Sequence, residues 1–388
     1  MKFLTYFDVP NDQSTERSVH ILNRSEPYEG TNLESNSVDA QKPMSPCWRR
    51  SFKWVIFLQC CLMIWLHWWL MSSTAEKSGE VGGIGEGGTR FVGLHLNGGR
   101  MGNQLFHLIT GYAIAKTIGR VHYLPHEDEC RGTVLKYLEL FKQVFPALER
   151  TYYLEKDRIN GTLVPFAKKS CCVYDDPRRL MNHPDKFLLL DFSFAQNPRY
   201  FEDMIDEIRE LLEFSPNITS EGGFLLDSLK ANYSSKEGEF SFWDRPNHSA
   251  LCIHIRRTDF LERNISTNMM ETVTAANDIA RGKGVDRFLI FGDDKDFMHN
   301  LTKVIIRTGN WNRNAAYVSQ FSEAIDFYVA SQVCRSFLIT AVTSSFGWWL
   351  AFFVADQNSI YYMPDDRIHG DKVPSKELFL KSWQKYIP

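Results

Sequence analysis

Two series of short apolar strands alternating with helical segments predict an α/β fold built from two doubly wound, Rossmann-like halves with a cleft between them. The first series opens at RFVGLHL (90–96), runs through NQLFHLITGYAIAKTIG (103–119) as a helix, and continues with strands at 120–124 and 187–192. The second opens at ALCIHIR (250–256), with strands at 287–292, 337–342 and 359–363. Helices near 267–281, 321–334 and 344–355 separate them. In both series the chemistry-bearing residues follow a strand, where open α/β sheets bind ligands.

Between the series, YFEDMIDEIRELLEF (200–214) carries Phe201, Met204, Ile205, Ile208, Leu211 and Leu212 at helical spacing. The composition leaves room for such a fold. The chain has 388 residues, with 44 Lys+Arg against 47 Asp+Glu. That balance argues against a nucleic-acid binder, which carries a basic excess. Eight Cys are too sparse for a small disulfide scaffold. A mean hydropathy of −0.30 excludes a many-pass membrane protein but not a single span.

One span is expected. Trp54–Met71 is 18 residues long, interrupted only by Gln59 and His67. As a helix it would be roughly 27 Å long, near the thickness of a thin bilayer core. Arg49, Arg50 and Lys53 precede it, and Glu76, Lys77, Glu80 and Glu86 follow. The positive-inside rule then leaves the N-terminus cytosolic, as in a type II signal-anchor. The organisation expected is a cytosolic tail (1–53), the span (54–71), a Gly/Ser-rich stem (72–89) and two catalytic halves (90–248 and 249–388). Six N-x-[ST] sequons, at Asn160, Asn217, Asn232, Asn247, Asn264 and Asn300, fit a lumenal compartment. Five Cys lie beyond the span (Cys130, Cys171, Cys172, Cys252, Cys334), so at least one is unpaired within the chain; Cys252, in a buried strand, is the expected free thiol.

Four motifs carry chemistry. Gly98–Gln104 joins a strand to a helix, and Arg100 with the helix start suits an anion; an ordinary turn capped by Asn103 fits equally. In Ile253–Asp259, strand alternation places His254, Arg256 and Thr258 on one face and Arg257 and Asp259 on the other. One Arg can then point into a cleft while its neighbour pairs with a carboxylate, an arrangement suited to diphosphate; a solvated surface salt-bridge cluster is the alternative. Gly292–Asp296 offers a carboxylate for guanine, a D-x-D metal site at Asp294 and Asp296, or a helix N-cap. Thr343–Trp349 supplies hydroxyls to phosphate or merely to the helix start. His122, His126, Glu127, Asp128, Glu129 and Cys130 have metal-ligand chemistry, but Pro125 breaks any helical ligand face.

Gly99–Gln104 followed by Ala113–Lys116, then His254–Asp259, then Thr343–Trp349 resemble, in order, the motifs of the α-1,2-fucosyltransferases, which modify galactosides. Thr258 stands where many members carry Gly, and Gly347 where Ser is usual. The spelling of His254–Asp259 is also similar to α-1,6-fucosyltransferases, and that of Gly99–Gln104 to protein O-fucosyltransferases. The resemblance implies a GT-B fold, GDP-fucose as donor, inversion at the fucose anomeric carbon, no essential metal cofactor, and a Golgi type II enzyme acting on a galactose-terminated glycan. It implies that Arg256 binds the diphosphate and that Arg257 and Asp259 support the strand end. His254 would lie near the nucleotide, Arg100 and Asn103 would face the pyrophosphate, and Asp293 or Asp294 would bind guanine. Ser344 and Ser345 would bond phosphate or fucose. Glu262 is the expected general base. The alternatives are a metal-dependent glycosyltransferase using Asp294 and Asp296, or an inactive membrane-tethered glycan-binding protein.

Overall fold

The computed structural model describes residues 88–388, apart from 127, 158, 233–241, 245–246, 248, 310–314, 370–371 and 373–375. The expected tail, span and nearly all of the stem lie outside the described residues. Among the described residues no helix is long and apolar enough to cross a membrane.

The described strands form two parallel sheets. The first joins β1 (Phe91–Leu94), β2 (Val121–Leu124), β3 (Tyr153–Leu154), β4 (Thr162–Pro165) and β5 (Phe187–Asp191) in the order β3-β2-β1-β5-β4. The second joins β6 (Ala250–Ile255), β7 (Arg287–Gly292), β8 (Ala315–Val318), β9 (Cys334–Ile339), β10 (Ile360–Tyr362) and β11 (Gln384–Lys385) in the order β11-β10-β9-β6-β7-β8. All six residues of the central strand β6 are buried, as expected for a parallel strand covered on both faces.

Helices α1 (Met101–Thr117) and α2 (Arg131–Val144) belong to the first series, followed by α3 (Ile205–Leu211) and α4 (Pro216–Asn232). The second series holds α5 (Thr258–Leu261), α6 (Met269–Lys283), α7 (Lys295–Thr308), α8 (Glu323–Val333) and α9 (Ser345–Phe353). Sequence pattern finds α1, α6, α8 and α9 within a few residues. It passes over α2, α4 and α7 and the strands β3, β4, β8 and β11. The stretch read as one helix at 200–214 is two short 3₁₀ turns leading into α3.

Helices α1 and α9 meet across the two series and fix the site. Trp349 Nε1 donates to the Gly102 carbonyl at 3.0 Å. The Phe106 ring lies 4.8 Å from Trp348 and 5.0 Å from Trp349, within aromatic packing range. A Cβ on Gly102 would stand 2.6 Å from the Phe346 nitrogen, so only glycine lets these helix starts approach.

The cysteine expectation is corrected. Cys252 is paired with Cys334, Cα atoms 5.5 Å apart, because β6 and β9 are neighbours in the sheet. Cys171 and the adjacent Cys172 form a second disulfide, and among the described residues the free cysteine is Cys130. Asn160, Asn217, Asn247, Asn264 and Asn300 are exposed; the Asn232 side chain is not among those described.

Candidate active site

Because both sheets are parallel, every residue that follows a strand emerges at the same edge of its sheet. Asn97–Arg100 follow β1, Gln196 follows β5, Arg256–Asp259 follow β6, Asp293 and Asp294 follow β7, and Thr343–Ser345 follow β9. The packing of α1 on α9 joins the first group to the last.

The junction is a closed ring of polar bonds. Ser345 Oγ donates to Asn103 Oδ1 at 2.5 Å, and Gln196 Nε2 donates to the same oxygen at 2.7 Å. Lys372 Nζ donates to Gln196 Oε1 at 2.6 Å and to the Thr343 carbonyl at 2.8 Å. The backbone from Thr343 to Ser345 completes the circuit. Gln104 braces the glycine turn by donating to the Asn97 and Gly99 carbonyls at 2.7 and 2.9 Å. Arg100 is the N-cap of α1; its side chain is exposed.

The two arginines have different environments. Arg257 is a brace: Nε bonds Asp294 Oδ2 at 3.1 Å, NH1 donates to the Thr267 carbonyl at 2.7 Å, and the guanidinium lies 4.1 Å from the Phe297 ring centroid. Arg256 has 13% of its side-chain surface exposed and contacts two carboxylates, Asp259 at 2.6 Å and Asp293 at 3.1 Å. Burial, the largest single influence, pushes the Asp259 pKa up, but the hydrogen bond and charge of Arg256, the residue's own backbone N–H and the charge of Arg263 together outweigh it, and the net shift is downward.

The acidic turn after β7 is engaged by protein donors. Asp293 accepts the Arg257 N–H at 2.9 Å and the Thr258 hydroxyl at 2.5 Å, while Asp294 caps α7 through the Phe297 N–H at 3.0 Å. Asp296 is exposed in the first turn of α7. Among the described residues no three His, Cys, Asp or Glu groups converge as a metal would need. Asp128 instead accepts the Leu96 and Cys130 N–H groups at 3.0 and 2.9 Å.

His254 lies beneath the site, 1% exposed. Its Nε2 is 3.5 Å from Ser344 Oγ, and its Nδ1 has no hydrogen-bond partner among the described residues. Burial holds its pKa down at about 4, so the ring is neutral at pH 7. A Cβ on Gly347 would stand 2.4 Å from His254 Nδ1, so the glycine makes room for the imidazole. Glu262 is exposed at the end of α5.

Local pattern does not reveal four further residues. Gln196 and Lys372 close the ring. Asp326, in α8, accepts from Ser319 Oγ, and burial raises its pKa to about 7. Glu323, in the first turn of α8, keeps more than a third of its surface in water, yet enough protein surrounds the carboxyl to raise its pKa. That rise wins over the opposing pull of Arg256 and Lys136. Position after β5 and β8 was the available signal for Gln196 and Glu323. Lys372 had none.

No family model matches the chain. It is similar to three Caenorhabditis elegans proteins with related names. One is named "Putative galactoside 2-alpha-L-fucosyltransferase svh-11" and is 28% identical over 286 residues, 71% of each chain. Two are named galactoside 2-alpha-L-fucosyltransferase, each 26% identical; the alignments cover 74% of this chain and 76% and 74% of theirs. Among solved structures it is similar to POFUT1 in complex with GDP-fucose, at 10% identity and a TM-score of 0.44, over 70% of this chain and 95% of that one. NodZ alpha-1,6-fucosyltransferase soaked with GDP-fucose gives 14% identity and a TM-score of 0.37, over 69% and 93%. At these scores the structural likenesses carry no weight, and the α/β architecture rests on the two sheets themselves. By its named sequence relatives, the chain is similar to the galactoside 2-α-L-fucosyltransferases.

Proposed function

We propose that the protein is a GT-B glycosyltransferase that moves L-fucose from GDP-fucose to the 2-hydroxyl of a terminal galactose, with inversion. The observation that carries this reading is the convergence of the glycine turn and the Thr343–Ser345 turn through the Asn103–Ser345 bond, which brings two helix starts together. First-turn N–H groups of a helix have no intrahelical partner, and the dipole there favours an anion such as a diphosphate.

In this reading Arg256 offsets the charge that grows on GDP as the fucosyl bond breaks. Asp259 and Asp293 hold its guanidinium in place, so little reorganisation is required. Arg257 fixes the strand end through Asp294 and Thr267. Arg100 and Asn103 face the pyrophosphate, Ser344 bonds phosphate or fucose, and His254 supports Ser344 from below. Asp293 or Asp294 meets guanine after exchanging a protein donor. Glu262 takes the acceptor proton, or a phosphate oxygen does. No metal is required in this scheme.

The proposed setting is the Golgi lumen, behind a type II anchor at 54–71. Among the described residues, two disulfides and five exposed sequon asparagines support an oxidising, glycosylating compartment.

The test is incubation of the full chain, purified from a secretory host, with GDP-fucose and galactose-terminated acceptors, followed by linkage analysis. An α-1,2-linked product formed in the presence of EDTA is expected. Transfer from another nucleotide sugar in preference to GDP-fucose would overturn the donor assignment, and complete loss in EDTA would restore the metal-dependent alternative.

A further inference from the structure

The last pairings of β6 are His254 against Ile339 in β9 and Ile255 against Gly292 in β7. Arg256 lies one residue past that ladder, where its backbone N–H and C=O must find other partners. Thr267 supplies both: its Oγ1 accepts the Arg256 N–H at 3.2 Å, and its N–H donates to the Arg256 carbonyl at 3.2 Å. The Thr267 carbonyl also accepts from Arg257 NH1 at 2.7 Å. Thr267 precedes Asn268, the N-cap of α6, whose side chain accepts the Glu271 N–H at 3.1 Å.

Thr340, the first residue beyond β9, extends the contact. Its Oγ1 donates to the His254 carbonyl at 2.6 Å and lies 2.8 Å from Thr267 Oγ1. With the Thr340 proton committed to His254, the Thr267 proton goes to Thr340 Oγ1; the Arg256 carbonyl, at 3.4 Å, is the weaker acceptor. The result is one directed chain, from the Arg256 N–H through Thr267 and Thr340 to the His254 carbonyl, in which each bond polarises the next. Thr267 and Thr340 are 1% and 4% exposed, which leaves water little access. The chain grips Arg256 at its backbone, while Asp259 and Asp293 grip the guanidinium.

We propose that Thr267 and Thr340 are positioning residues for Arg256, their two hydroxyls fixing its backbone so that the guanidinium meets the diphosphate of a nucleotide sugar as charge develops there. Valine would fill either place as well as threonine does. Only the hydroxyls can take the Arg256 N–H and reach the His254 carbonyl. The assignment rests on the nucleotide-sugar reading above and deepens it.

The experiment measures fucosyl transfer by the full chain and by its Thr267→Val and Thr267→Ser variants, with GDP titrated by calorimetry to count the folded sites. Per GDP-binding site, Thr267→Val should lower kcat and kcat/KM together by about tenfold to a hundredfold, with the KM for GDP-fucose within about twofold. Thr267→Ser keeps the hydroxyl and should recover most of the rate. In an Arg256→Lys background the further loss from Thr267→Val should shrink to about twofold, because the planar fork being positioned is already gone. Should Thr267→Val not fold, Thr340→Val carries the same comparison, with Thr340→Ser as its rescue. An unchanged rate per site, equal losses in both backgrounds, no rescue by serine, or failure of both valine variants to fold overturns the positioning role alone. Failure of the unmutated chain to bind GDP or to transfer fucose overturns the nucleotide-sugar reading as well.

Discussion

Ser345 Oγ and Asn103 Oδ1 are 2.5 Å apart across 242 positions of sequence, and this one bond ties the start of α9 to the start of α1. Its removal is informative because Asn103 also accepts from Gln196. Ser345→Ala should lower stability by about 1 kcal/mol. The Ser345→Ala/Asn103→Ala double-mutant cycle should show a coupling of about 0.5–3 kcal/mol, read from denaturant unfolding. Additive effects would mean the bond does not form in solution.

Arg256 and Arg257 should separate cleanly. Arg257→Ala strips the partner from Asp294, the Thr267 carbonyl and the Phe297 face together, and should destabilise the fold by about 3 kcal/mol. Arg256→Lys should fold, because a cation still faces Asp259 and Asp293, while fucosyl transfer falls about a hundredfold for want of the planar fork. Unfolding midpoints and kcat/KM, measured side by side, check both. Equal stability losses would contradict the assigned roles.

Gly102→Ala is a small change with a large expected effect. The new methyl would meet the Phe346 nitrogen at 2.6 Å and the Ser345 carbonyl carbon at 2.7 Å, both backbone atoms that cannot rotate away. Overpacking of this kind costs about 1–3 kcal/mol and would push α1 off α9. Transfer activity should fall further than thermal stability does. Gly132→Ala, where nothing lies within 4 Å of the new methyl, is the control.

Three buried histidines make the protein acid-sensitive. Burial is the leading cause holding His107 and His254 at about 4 and His122 at about 3. An exposed imidazole titrates near 6.5, so between about pH 4 and 6.5 the unfolded chain takes up protons these sites refuse. Asp326, raised to about 7, opposes this by holding one proton in the folded state. Three groups outweigh one, so stability should rise with pH from about 4 to 6.5. A series of urea midpoints across that range checks the sign, and His122→Leu should flatten the profile. A stability that falls with rising pH would contradict it.

The Cys252–Cys334 disulfide closes a loop with a sequence separation of 82. Cys334→Ala should cost about 2–4 kcal/mol, much of it through a freer unfolded chain. Comparison of thermal midpoints with and without reductant should show the unmutated chain falling towards the variant. A variant as stable as the oxidised chain would show that the strand pairing alone suffices.

Pattern reading found most of the central strands because a parallel strand buried on both faces must be a continuous apolar run, as ALCIHI in β6 is. It found α1 and α9 because each begins directly after a strand-ending turn. It missed α4 and α7 for a local reason: PNITSEGG opens α4 with weak helix formers, and α7 begins at the DDKD cluster read chiefly as chemistry. Cys252 shows the limit most plainly. A thiol in a buried strand reads as a small hydrophobe until the neighbouring strand is known.

The sequence by itself determined the alternation of strand and helix, and with it the placing of the motif residues at strand ends. Parallel pairing sends each following turn to one edge, so local pattern suffices for that. Tertiary structure decided the division of labour: Arg257 as brace against Asp294, His254 sealed under Gly347, and Gln196 and Lys372 joined to Asn103 and Thr343. Those outcomes depend on partners 29 to 176 positions away. Hydrogen bonds and burial at that range follow from the packing of one sheet's helices on the other's, which no local spacing encodes.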